Sequence, residues 1–284
     1  MGHYARPESL DEACALLAGA EPWRIVAGGT DVYPTLGEAA NRASFLDISA
    51  LPGLRGVARD DRGWRIGALT TWTDILRAPL PSAFDGLKLA AREVGSVQIQ
   101  NVATLAGNIC NASPAADGIV ALMALDARVE IVGPSGHRRV PLDEFVLGVR
   151  RVDLNPGEIL SAIIVPDPGS PSVSHFLKLG ARRYLVISIA MVAVNLRFDE
   201  QARVAAAAIA VGACSPVAVR LSTLEARLIG AHRAEMPGLV RDEDVDALSP
   251  ISDVRADAAY RDAAVPVLVR RCLAACREPR PEAT

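Results

Sequence analysis

Residues 104 to 117 read Thr104-Leu-Ala-Gly-Asn-Ile-Cys-Asn-Ala-Ser-Pro-Ala-Ala-Asp117. Thr104, Asn108, Asn111, Ser113 and Asp117 gather around Gly107 and Pro114, directly before the apolar run of residues 119–125. A core element does not carry so many short hydrogen-bonding groups together. A surface loop rarely sets them at the foot of an apolar run. A smaller segment of the same kind lies upstream, Val26-Ala-Gly-Gly-Thr-Asp31. Two polar turns, each leading out of an apolar segment, suggest one shared ligand with several polar groups.

The chemistry of each turn supports that expectation. Gly28-Gly29 lets backbone approach a bulky anion because no Cβ intrudes. Successive amide N–H groups in such a turn form an anion-binding concavity, and a pyrophosphate suits it. A Gly-Gly turn between a strand and a helix also has a purely structural use, and it is not the G-x-G-x-x-G dinucleotide fingerprint. In the second turn, Thr104 and Asn108 suit phosphate or ribityl oxygens, Asp117 suits a sugar hydroxyl, and Gly107 allows close approach. The competing reading makes Ser113 a helix N-cap with Pro114 in the first turn. Capping accounts for Ser113 and Pro114 but not for Thr104, Gly107, Asn108 and Asn111. Lys178 and Tyr184 admit two uses, near a ring-bearing ligand or on a solvated edge strand. Trp23, Trp64 and Trp72 read as core.

Composition bounds the rest. The chain has 284 residues, 50% of them hydrophobic, which suits two ordered domains. Its formal net charge of −3, with arginines scattered in short pairs such as Arg150-Arg151, gives no basic stripe for nucleic acid. No apolar run reaches membrane-spanning length. The N-terminus lacks a basic segment followed by an apolar one, so no secretion signal is expected. The five cysteines, at 14, 110, 214, 272 and 276, are odd in number and irregularly spaced, which argues against a disulfide framework and leaves the cytoplasm as the expected compartment. The dispersed histidines and cysteines predict no metal site within the chain. No nucleophile–base constellation stands out, so the reactive chemistry is expected from a cofactor.

Residues 24–27 and 46–48 read as short strands, and residues 64–69 as another. Residues 70–76 and 87–94 read as helices, and a helix opened by Pro114 runs to about residue 125. Residues 127–132 and 138–140 form a hairpin, and residues 159–165 a strand. Pro166-Asp-Pro-Gly-Ser-Pro171 is the expected domain boundary, since its prolines continue neither a helix nor a central strand. Strands over 175–179, 188–198 and 204–212 follow, then helices over 219–229 and 258–275, the second bent at Pro266. The tail from residue 278 is expected to fray.

Ala27-Gly-Gly-Thr-Asp31 together with the 104–117 stretch resembles the FAD-binding medium subunit of the molybdenum hydroxylases, the xanthine dehydrogenase and carbon monoxide dehydrogenase group. Phe176-Leu-Lys-Leu-Gly-Ala-Arg-Arg-Tyr-Leu-Val-Ile-Ser188, Ile209-Ala-Val-Gly-Ala-Cys-Ser-Pro216, Leu224-Glu-Ala-Arg-Leu-Ile-Gly230, Pro250-Ile-Ser-Asp-Val-Arg255 and Tyr260-Arg261 follow in the family's order. The resemblance implies an α+β fold. Residues 1–170 would form a vanillyl-alcohol-oxidase-type FAD-binding domain of two α+β subdomains. Residues 171–284 would form a small C-terminal domain with a three-stranded antiparallel sheet and helices.

It also implies a site. Ala27, Gly28, Gly29, Thr30, Asp31 and Val32 would cradle the pyrophosphate. Thr104, Leu105, Ala106, Gly107 and Asn108 would form the second loop, with Asn111 and Ser113 beside it. Val94 and Gly95 would lie near the cofactor, Asp117 would hold a sugar hydroxyl, and Leu160 and Lys178 would approach the flavin. Partners would be a large molybdopterin subunit and a small subunit carrying two [2Fe–2S] clusters, assembled as a dimer of heterotrimers. Electrons would leave through FAD to NAD⁺, a quinone or another acceptor. Ala106 stands where the family has glycine, which is tolerable only if its φ stays negative. No inserted loop for a [4Fe–4S] cluster is seen. A self-sufficient FAD-dependent oxidoreductase and a flavin-free scaffold remain the competing readings.

Overall fold

The structure, a computed structural model, describes residues 2–169 and 172–276. The first sheet is parallel, in the order Tyr4–Ala5, Ser44–Asp47, Trp23–Val26. Parallel strands need a crossover, and the helix Leu10–Ala18 supplies one. Its start is fixed by Ser9, whose hydroxyl accepts from the Glu12 amide. Ala13 and Cys14 on its inner face pack with Leu46, Ile48, Leu51 and Leu54, and with Val132 and Ile159 of the next sheet. One small core thus joins the two layers.

The second sheet is antiparallel, in the order Val57–Asp60, Gly63–Gly67, Ile159–Pro166, Arg128–Gly133, Gly136–Pro141. Its middle strand, Ile159–Pro166, is buried everywhere except Ile164 and Pro166, which is why it reads as an apolar run broken only by Ser161. The interior Ser161 hydroxyl donates to the Glu130 carbonyl at 3.1 Å, so the strand's one polar side chain is satisfied. The helices Trp72–Arg77, Asp85–Glu93, Leu105–Asn111 and Asp117–Met123 contribute to the main core with this sheet. Thr71 opens the first of them with a capping box to Asp74, as the hydroxyl-rich stretch predicts.

The start of the middle strand is pinned electrostatically. Arg138 donates to Glu158 at 2.7 Å and to Asp153 at 2.6 Å. The Arg138 guanidinium, with help from the Asn155 amide, holds the Glu158 carboxyl at about 2, below its usual 4.5. The folded pKa is depressed, so this contribution to stability is complete above about pH 4.5 and fades as pH falls towards 2. Replacing Glu158 with Gln is expected to flatten the acid limb of the unfolding midpoint against pH over that window and leave the slope above it unchanged. Thermal melts across pH check this.

The third sheet is antiparallel, in the order Ser172–Leu179, Ala190–Phe198, Val204–Gly212, Val219–Arg220. Side chains alternate faces along a strand. Met191, Ala193 and Ala210 therefore join the core beneath the N-terminal helices. Val192, Val194, Leu196 and Phe198 join a second core under the helix Ala258–Ala275. Both faces are covered, and the two halves of the chain pack directly on each other. The segments 250–255 and 260–261 meet through Arg261, a buried residue that donates to the Ala213 carbonyl at 2.8 Å and to Asp253 at 2.8 Å.

Several expectations need correction. Residues 105–111 form their own helix, ended by Ala112 at φ 44, so the second polar stretch is not a loop. The next helix begins at Asp117 with Ala116 as its N-cap. Pro114 and Ser113 therefore lie in the connecting turn, where the Ser113 hydroxyl accepts from the Ala115 amide at 3.3 Å. The C-terminal sheet gains a short fourth strand, Val219–Arg220, from residues expected to be helical; the helix spans only Ser222–Leu228. The final helix runs through Pro266 without interruption. Part of the expected boundary, Ser170 and Pro171, and the tail from residue 278 lie outside the described residues.

Candidate functional site

A cavity of about 710 Å³ opens where the two polar segments meet. It lies within the range of roughly 300–1,000 Å³ found for small-molecule and cofactor sites. One wall is the turn that follows the strand Trp23–Val26. There the backbone amides of Gly28, Gly29, Thr30 and Asp31 donate to no protein acceptor among the described residues. Gly29 sits at φ 69, a left-handed conformation that glycine adopts without penalty. Gly28 is needed for space. A Cβ there would fall 2.0 Å from the Val102 carbonyl oxygen, so the two walls touch at this point.

The opposite wall is the start of the helix Leu105–Asn111. Thr104 caps it by accepting from the Gly107 amide at 3.0 Å. The side-chain oxygen of Asn108 accepts from the Gly118 amide at 3.1 Å, which fixes the next helix beside it. Ala106 lies inside the helix with negative φ and is 5% exposed, so the methyl in place of the family glycine is accommodated. Cys110 also lines the cavity, and burial pushes its thiol up to about 12, leaving it neutral. Across the rim, Asn111 donates to Asp31 and accepts from Arg150, tying the two walls together. Trp72, Ile99, Leu154 and Ile159 complete an apolar floor.

Of the residues expected from sequence, the cavity gathers Ala27, Gly28, Gly29, Thr30, Asp31, Val32, Val94, Thr104, Ala106, Gly107, Asn108, Asn111 and Leu160. It does not gather Gly95, Leu105, Ser113, Asp117 or Lys178. Gly95, at φ 52, has its Cβ direction filled by Ile99, and Leu105 is fully buried in the core. Asp117 and Lys178 face each other, not the cavity: the ammonium donates to the carboxylate at 3.0 Å, and both side chains are less than 10% exposed. Ser188 adds a bond to Asp117 at 3.2 Å. Burial raises the Asp117 pKa above the usual carboxylate range even though Lys178 and Ser188 oppose it. Tyr184 is 60% exposed, with Arg183 over its ring. Trp72 is core, as expected, yet also reaches the cavity floor. Arg24, Ile99, Leu154, Ile159 and Arg150 carried no signal as site residues. The neighbouring Leu160 could have suggested Ile159; the others become site residues only through the fold.

Free amides in a glycine turn, an apolar floor and a facing polar helix start fit a dinucleotide with a flat ring system. The site and its two-subdomain frame define a flavin-binding module. Residues 1–168 match the family model described as the FAD binding domain in molybdopterin dehydrogenase. Residues 175–276 match the CO dehydrogenase flavoprotein C-terminal domain. The chain belongs to this family, as an FAD-binding subunit of the molybdenum hydroxylases.

The xanthine dehydrogenase FAD-binding subunit of Escherichia coli O157:H7 is 34% identical over 78% of this chain and 77% of its own length. The nicotinate dehydrogenase FAD-subunit of Eubacterium barkeri is 32% identical over 80% and 79%. Among solved structures, carbon monoxide dehydrogenase from Hydrogenophaga pseudoflava, in a form lacking the Mo-pyranopterin moiety, superposes with a TM-score of 0.86 at 28% identity, covering 97% of this chain and 96% of that one. The chain is thus the FAD-carrying, electron-transfer subunit of a multi-subunit molybdenum-dependent dehydrogenase, with larger and smaller partner chains. Among the described residues, no helix is long and apolar enough to cross a membrane.

Proposed function

We propose that the 710 Å³ cavity is the FAD site, with the diphosphate on the amides of residues 28–31 and the rest of the cofactor along the 104–111 wall. The single observation that carries this reading is the run of four amides without protein acceptors, opened by a glycine that no other residue can replace without a clash. Bound FAD supplies the acceptance of two electrons and their onward release. The protein's own residues supply position: Thr104 fixes the helix start, Asn108 holds the next helix beside it, and Val94, Ile99 and Leu160 keep water from the floor. Asp117 and Lys178 act from behind, holding the strand Ser172–Leu179 against the helix Asp117–Met123.

In this reading the domain boundary falls between the strands Ile159–Pro166 and Ser172–Leu179. Electrons reach the flavin from [2Fe–2S] clusters on the small partner, after hydroxylation at a molybdopterin centre on the large one. They leave to NAD⁺ or another acceptor. Two heterotrimers pair, and the free thiols suit the cytoplasm. The test is reconstitution. The chain alone should take up FAD, turn yellow and oxidise no small substrate, then pass electrons to an added acceptor once joined to both partners. A chain that refuses FAD, or that oxidises substrates alone, contradicts the reading.

A further inference from the structure

Arg24, Asp31 and Arg150 are the only charged side chains among the described residues lining the cavity. Without Arg150 the formal charge of that lining is zero, a poor match for a diphosphate carrying two negative charges. Arg150 is held in place by its backbone. It stands at φ 57, and its amide donates to the Ala112 carbonyl at 2.9 Å, where Ala112 is itself at φ 44. These two left-handed residues lay the Arg150 side chain across the end of the helix Leu105–Asn111. There Nη1 donates to the Asn111 carbonyl at 3.2 Å and to the Asn111 side-chain oxygen. The same nitrogen lies 3.9 Å from the Asp31 carboxylate, which brings the guanidinium beside the turn of free amides.

Every polar contact of this side chain among the described residues runs through Nη1, so Nε and Nη2 have no acceptor there. A guanidinium anchored by one nitrogen and free at the others is set up to accept a second anion in a forked geometry. Two left-handed non-glycine residues in succession across one hydrogen bond also carry strain that needs a use.

Resting on the FAD reading above, we propose that Arg150 is a binding residue for the diphosphate: its free N–H groups close over the anion from beside the amides of residues 28–31. Asn111 is the pivot that keeps the guanidinium from collapsing onto Asp31.

Flavin fluorescence titrations of the full chain test this, with FAD and riboflavin as the two probes. Riboflavin carries the ring and ribityl chain without the diphosphate. Arg150→Gln is expected to weaken FAD binding roughly 10- to 100-fold, as loss of a charge-assisted contact does, and to leave riboflavin affinity unchanged. The salt dependence of FAD binding should also fall. Arg150→Lys, which keeps charge but not the fork, should give a smaller loss and decides the matter if the Gln variant melts early. Equal losses for both probes, or FAD binding unchanged in either folded variant, overturn the proposal. Wild-type chain that binds neither probe overturns the FAD reading instead.

Discussion

Gly28→Ala is expected to weaken FAD binding roughly 10- to 100-fold, the equivalent of about 1–3 kcal/mol for forcing a methyl into packed structure. The cause is steric, not conformational, because the Gly28 φ is not in the left-handed region. The added Cβ meets the Val102 carbonyl at 2.0 Å and its carbon at 2.7 Å, and backbone cannot rotate away as a side-chain tip can. The turn must lift off the opposite wall, which spoils the alignment of the four amides and the Asp31–Asn111 bond across the rim. Gly29→Ala should act differently. It would be strained by φ 69 and would press on the Tyr33 ring, a movable group, so its cost falls mainly on stability. Equilibrium titration of both variants separates the two mechanisms.

Lys178→Met is expected to lower unfolding free energy by about 3–5 kcal/mol, because a buried carboxylate loses its partner. That is a large share of the roughly 5–15 kcal/mol by which a domain is stable. Only Ser188 would remain to bond Asp117 in the described contacts. The pH dependence has a definite sign. Burial already raises the folded pKa of Asp117, and removing Lys178 removes the opposing charge. A carboxyl whose folded pKa lies above its unfolded one binds its proton more tightly in the folded state. The variant's deficit should therefore be complete above the raised pKa and shrink as pH falls through it towards the unfolded value. The pair Asp117→Asn with Lys178→Met should recover part of the loss at neutral pH. Urea titrations at several pH values check all three statements.

The candidate site was more legible in the sequence than the fold around it. Gly28, Gly29, Thr104, Gly107 and Asn108 were legible because each is a glycine or a short polar residue out of place beside an apolar run. The antiparallel pairing of residues 190–198 with 204–212 was legible from two apolar runs about one turn at Asp199. The resemblance implies a sugar hydroxyl on Asp117 and a flavin near Lys178, and Asp117 also suits a sugar hydroxyl by its place in the polar stretch. Their partner is each other, and 61 positions of sequence separation conceal that. Arg150 sat in a basic pair read only as part of a scatter of arginines, since no periodicity marks a loop residue placed by its own left-handed backbone and that of Ala112. The helix Leu105–Asn111 was hidden by its asparagines and glycine, which lower helix propensity; the Thr104 cap and burial of Leu105, Ala106 and Ile109 outweigh that deficit. Val219–Arg220 became a strand because Arg220 pairs with Glu225 and Asp126, which holds it in the sheet edge.

The most direct measurement is a crystal structure of the chain grown with FAD. The account predicts one FAD per chain, its diphosphate oxygens within hydrogen-bonding distance of the amides of Gly28, Gly29, Thr30 and Asp31, and the remainder along the wall that begins at Thr104. A diphosphate bound elsewhere, with those four amides facing only solvent, would contradict it.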